Sequence, residues 1–136
     1  MTEPVSADPA AEDSGESGAA VVDFVLVSVL VTALAMALLQ LSFALHVRNT
    51  LTWAASEGAR AGARLGASPQ IAQDRSRELI RQSLSSAYAQ DVQVSRRVEG
   101  GVAVVEVHVC APLPVVALWG PPGAVTTRGR AFAEDQ

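Results

Sequence analysis

The residues with the clearest chemical consequence stand at the start of an apolar stretch. Gly18-Ala19-Ala20-Val21-Val22-Asp23-Phe24 sets a glycine at the end of a polar segment and a carboxylate five positions later, and no other charged residue follows until Arg48. A carboxylate held in hydrocarbon costs about 2.5–3.5 kcal/mol at a helix centre and less toward an end. Asp23 therefore needs a cationic partner or a place among lipid headgroups. The remaining reactive groups are scattered. His46 and His108 lack the acidic or cysteine neighbours of a metal or catalytic site; His46 reads as a residue at a membrane boundary, and His108 as a strand side chain facing solvent or a neighbouring strand. Cys110 is the single cysteine, which excludes an intramolecular disulfide and a zinc-binding cysteine cluster, and it reads as a small buried residue of a strand. With no nucleotide loop or nucleophile motif either, no catalytic residue, metal or cofactor is assigned, and the chain is not expected to be an enzyme.

The charge pattern excludes a further class. The net charge is −4, the ten basic residues are all arginines at or after Arg48, and the acidic residues crowd the two ends. No basic surface for nucleic acid is indicated.

The elements that would position Gly18 and Asp23 follow from hydropathy. Residues 1–18 carry Glu3, Asp8, Glu12, Asp13 and Glu16 with prolines, glycines and serines, and are expected to form a disordered acidic leader. Phe24 to Leu45 is apolar except for Ser28, Thr32, Gln40 and Ser42. As a helix it extends roughly 33 Å, enough for the hydrocarbon core of a bilayer. A buried helix of a soluble protein would show a polar face, and a cleaved secretory signal would be shorter and begin with basic residues, so neither fits. His46 to Ala67 lacks proline, and the helix is predicted to continue through it, giving a second segment over residues 19–67. Within it Ala54, Gly58, Gly62 and Gly66 recur every four residues, with Ala55, Ala59, Ala63 and Ala67 as the adjacent row. Such a face permits close helix packing, as small-xxx-small faces do; the alternative is a helix end frayed by glycine. Glu57 and Arg60 are spaced for an i,i+3 pair off this face.

Residues 68–136 read as a small head. Ser68-Pro69 starts a helix whose apolar stripe is Ile71, Ala72, Leu79, Ile80, Leu84, Ala87 and Tyr88. After Gln90 the period changes to two: Val92, Val94 and Val98, a turn at Glu99-Gly100-Gly101, then Val105, Val107 and Val109 predict a β-hairpin. Pro112 and Pro114 close the second strand, Pro121-Pro122-Gly123 marks a loop, and Val125 to Ala133 supplies a third strand. Val102 to Trp119 is apolar, but Glu106, His108, Pro112 and Pro114 argue against a second span. The fold class is α+β: a long N-terminal transmembrane helix, then a head of one helix and a three-stranded antiparallel sheet.

Gly18 to Phe24 resembles the prepilin-peptidase site of type IV pilin-like proteins and, more closely, that of the TadE-like family, where glycine and small residues precede Glu-Phe. Val47-Arg48-Asn49-Thr50-Leu51 and Ala54-Ala55-Ser56-Glu57-Gly58-Ala59-Arg60-Ala61-Gly62-Ala63 resemble the family's alanine-rich helix with its Glu-Gly-Ala-Arg core. The valine-rich strands and Arg130-Ala131-Phe132-Ala133-Glu134 are similar in character. The resemblance implies a pilin-like fold and a minor pseudopilin of a Tad/Flp pilus machine. It implies cleavage between Gly18 and Ala19 and a role for Asp23 in subunit register, paired with the new amine of Ala19. The implied partners are the membrane, a prepilin peptidase, Tad platform proteins and other pilins or pseudopilins. Here Asp23 stands in place of the family's glutamate, and Glu16-Ser17 in place of a basic residue before the glycine. The resemblance implies an extracytoplasmic head, whereas Arg48, Arg60 and Arg64, all after the span, favour a cytoplasmic one. The rival reading is an unprocessed single-pass membrane protein that binds or stabilises another envelope complex.

Overall fold

The computed structural model describes residues 13–112 and 124–133, with side chains from Gly18 onward. The elements are α1 (Asp13–Ala63), α2 (Pro69–Ser83), a 3-10 turn (Ser86–Ala89), β1 (Asp91–Glu99), β2 (Val102–Pro112) and β3 (Ala124–Phe132). The chain forms two compact units, residues 1–39 and 40–136, and α1 contributes to both.

The described part of the first unit is the first half of α1. Its apolar side chains point outward all round the helix: Phe24 is 72% exposed, Leu30 68% and Leu39 65%. An apolar surface on every side of a helix requires lipid rather than water. Gly18–Ala63 is the one stretch among the described residues that is long and apolar enough to cross a membrane. The Ser28 hydroxyl donates to the Phe24 carbonyl at 2.7 Å, so it leaves no unpaired donor in the apolar run. α1 begins at Asp13, so residues 13–18, expected to be disordered, are helical. Helix propagation from the apolar run costs less per residue than a new nucleus, and no proline between 13 and 18 blocks it. Residues 1–12 of the expected leader lie outside the described residues.

In the second unit, the rest of α1 and α2 lie on one face of an antiparallel sheet of order β1-β2-β3. Val47, Leu51, Ala55 and Ala59 of α1, Ala72, Leu79 and Ile80 of α2, and Val92, Val105, Val107 and Val109 of the sheet form one buried core. Gly100 and Gly101 close the β1-β2 hairpin with φ of 60° and 85°, the left-handed pair that a tight hairpin turn requires. Register places Val107 opposite Val94 and Gly129, and Glu106 opposite Ser95 and Arg130.

Several boundaries differ from the sequence expectation. α1 stops at Ala63 rather than Ala67, because Gly66 adopts φ 73° and the Ala67 N–H turns back to the Arg64 carbonyl at 3.0 Å. α2 ends at Ser83, with the Leu84 N–H on the Ile80 carbonyl at 2.7 Å. Ala87 and Tyr88 fall in the 3-10 turn beyond it, and Ile71 is exposed. Burial on α2 centres instead on Ala72, Ser76, Leu79 and Ile80, the row that faces α1 and the sheet. β3 runs Ala124–Phe132, one residue earlier than expected, and Val102–Pro112 is a strand. Pro114 and the Pro121-Pro122-Gly123 loop lie outside the described residues.

Candidate functional site

Gly18 sits inside α1, exposed, with no atom of another residue within 4 Å of a side chain built on it. Packing does not require glycine there, and a helical glycine costs about 1 kcal/mol against alanine. What glycine does offer is easy departure from helical geometry. Ala19, Ala20 and Asp23 are exposed as well, and Asp23 has no hydrogen-bond or salt-bridge partner among the described residues. Ala19 and Asp23 stand one turn apart, so an amine formed at Ala19 would lie within reach of the Asp23 carboxylate.

The small-residue row of α1 divides. Ala54 is fully buried, and Gly58 and Gly62 pack against α2. A side chain begun at Gly58 would run into the Ser76 hydroxyl and lie 2.7 Å from the Ala72 carbonyl oxygen. One begun at Gly62 would lie 2.6 Å from the Ala72 methyl and 3.5 Å from Val105. The surface these residues pack against therefore belongs to the chain's own head. Gly66 departs from the expected packing row: it is exposed beyond the helix end, and no other atom lies within 4 Å of a side chain placed there. Its role is the left-handed turn. The adjacent row approaches the sheet, where Gly129 of β3 lies directly against the backbone of Ala55 and Ser56. Arg96 of β1 donates through Nη2 to the carbonyls of Gly62, at 3.0 Å, and Ala67. A guanidinium here meets one carbonyl in the last turn of α1 and one just beyond it, near the negative pole of the helix. Glu57 and Arg60 form their i,i+3 pair at 2.8 Å.

A second cluster lies on the outer face of the sheet, opposite the helices. The Glu106 side chain is buried to 3% exposure; its Oε1 accepts from Arg130 Nε at 3.3 Å and lies 3.0 Å from His108 Nε2, with Arg97 3.9 Å from Oε2. Burial alone would push this carboxyl up. The charges of Arg130 and His108, the Arg130 hydrogen bond and the charge of Arg97 outweigh it and hold the carboxyl below its ordinary value. His108, expected to lack an acidic neighbour, thus has one. Register explains how: Arg97, Glu106, His108, Arg128 and Arg130 all fall on the same side of the pleat. Cys110 lies on this side too and is half-buried rather than buried. A shallow cavity of about 430 Å³ is lined by Asp91, Gln93, Ser95, Arg97, His108, Cys110 and Thr126. Among the described residues no three His, Cys, Asp or Glu side chains converge as metal ligands. The full outer cluster was legible only through strand pairing, since its members come from three strands; the alternations Glu106 with His108 and Arg128 with Arg130 were the local signals.

Residues 18–60 match the model of the family described as TadE-like protein. No curated protein and no solved structure matches the chain.

Proposed function

We propose that this chain, which carries a TadE-like segment over residues 18–60, is a minor pseudopilin: a non-catalytic component that acts in assembly of a Tad-type pilus or secretion machine. The observation that carries the reading is a coincidence of position. The family match begins at Gly18, the residue at which the polar segment gives way to the apolar one and at which α1 holds a glycine without a packing reason. In this reading a prepilin peptidase cleaves between Gly18 and Ala19, and the new Ala19 amine pairs with Asp23 of the same or a neighbouring copy, which sets the register of subunits in the membrane. The head lies on the extracytoplasmic side, and the partners are the peptidase, the platform proteins of the machine and other pilins or pseudopilins.

N-terminal sequencing of the protein from cells that express the peptidase tests this. Mature protein should begin at Ala19, and Gly18→Leu should leave the chain uncut. An intact N-terminus in the wild type, or a reporter fused after Gln136 that is active only in the cytoplasm, overturns the proposal. Either result favours a second reading, an unprocessed single-pass protein that binds or stabilises another envelope complex. The arginines after the span and the unbroken course of α1 through Gly18 and Ala19 speak for that alternative.

A further inference from the structure

The outer side of β3 reads Thr126, Arg128, Arg130 and Phe132, all four exposed, with Phe132 at 75%. No carboxylate belongs to this strand. Among the described residues the nearest one, Glu106 on β2, is buried and turned toward Arg130, His108 and Arg97, so it offers solvent almost no negative charge. Asp91 and Glu99 share this side of the sheet but stand on β1, about 10 Å away across two strand spacings. Asp91 moreover accepts from Gln93 at 3.0 Å. Arg128 makes no hydrogen bond or ion pair among the described residues. β3 is an edge strand of the sheet, and no described strand pairs with its free edge.

We infer that the outer side of β3 docks an extended acidic segment of a partner protein, with carboxylates at alternate positions facing Arg128 and Arg130 and an apolar residue against Phe132. The spacing is the argument. Residues two apart on a strand project about 7 Å apart on one face, the same repeat that alternate residues of an extended partner present. Arginine donates two parallel N–H bonds to a carboxylate, and an exposed aromatic beside the pair supplies the apolar anchor that charge alone lacks. Addition to a sheet edge also gives the partner main-chain hydrogen bonds. An anionic bilayer would need cationic groups spread over a wider surface than this single strip, and Phe132 at its end fits a side chain better than a headgroup layer. The inference uses only the head and is independent of processing at Gly18.

The test uses the full chain in phosphatidylcholine nanodiscs and a short fluorescent peptide alternating glutamate with valine, with a glutamine-for-glutamate peptide as control. Anisotropy should show saturable binding of the acidic peptide alone. Arg128→Glu should weaken it about tenfold or more, since it replaces an attraction by a repulsion. Arg81→Glu, on an exposed arginine of α2, should leave it within about twofold. Arg128→Gln, a milder change, guards against misfolding of the reversed variant, and both should retain the wild-type melting temperature. Three outcomes overturn the inference. Equal binding of both peptides, or equal loss in the Arg128 and Arg81 variants, means no specific strip. Binding to phosphatidylglycerol vesicles without binding to the peptide means that the strip is a lipid contact. No binding at all, with self-association of Arg128→Gln, means that the arginines only guard a sheet edge against pairing.

Discussion

Gly129→Ala is the most demanding test of the packing between α1 and the sheet. A methyl group built on Gly129 meets the carbonyl carbon and oxygen of Ala55 and the amide nitrogen of Ser56, all far inside ordinary contact. These are backbone atoms of a helix, and unlike the tip of a flexible side chain they cannot rotate away. Relief requires α1 to move off β3 by on the order of 1 Å, and a gap of that size forfeits a quarter to a half of each dispersion contact along the interface. The contacts at stake are those of Val47, Leu51, Ala55 and Ala59 with Val105, Val107 and Val109. Overpacking of this kind costs about 3 kcal/mol, the upper end of its usual range, because the obstacle is backbone. Against it stands only the stiffer unfolded chain of alanine, worth about 0.4–1 kcal/mol. The clash wins by roughly 2 kcal/mol or more, which for a unit of this size lowers the melting temperature by about 10 °C or more. Thermal unfolding in detergent, followed by circular dichroism and tryptophan fluorescence, reads the loss. Gly18→Ala, where no other atom lies near, is the matched control and should not destabilise. A Gly129→Ala protein that melts with the wild type would refute the close approach of β3 to Ala55.

Two other substitutions probe the same unit. Gly58→Ala gains about 1 kcal/mol of helix propensity but drives a methyl into the Ser76 hydroxyl and toward the Ala72 carbonyl, so it should destabilise on balance. Ser76→Ala in the same chain should recover part of the loss; additive effects in a double-mutant cycle would contradict the contact. The third prediction concerns acid. Because the folded Glu106 carboxyl is held below its unfolded value of about 4.3, its contribution is complete above that pH and is lost as pH falls through the folded value. Urea midpoints should therefore drop on acidification below about pH 4.3. Arg130→Ala leaves the burial penalty in place and removes the largest opposing charge, so the folded carboxyl moves back toward its unfolded value and the drop should shrink, and Glu106→Gln should remove it. An acid profile unchanged by either variant would show that Glu106 is not the group that titrates.

What could be read from the residues alone depended on whether the signal was local. The apolar run, the Ser68-Pro69 start, the Gly100-Gly101 turn and the period-two valines each act within a few residues, and each element they announce is present. The limits of helices were harder, because they are decided by tertiary partners. Nothing near Ala63 ends α1 except Gly66, whose left-handed φ is accompanied by Arg96 donating from a strand some thirty residues later. The meaning of the small residues was non-local as well. A glycine repeat on a helix states that something approaches closely, but not whether that is another subunit or the chain's own α2. Glu106 shows the same limit more sharply: in sequence it interrupts an apolar stretch, alternation alone sets His108 on its side of β2, and only the pairing of three strands adds Arg97 and Arg130. That pairing also turns an isolated Arg-Gly-Arg into two functions of one strand. The glycine of Arg128-Gly129-Arg130 faces inward and lets α1 sit on the sheet, while the two arginines face outward. Strand alternation, not the α1 contact, fixes where the cationic strip is presented, so a change at Gly129 that moved α1 would leave the strip in place on the opposite face of the same strand.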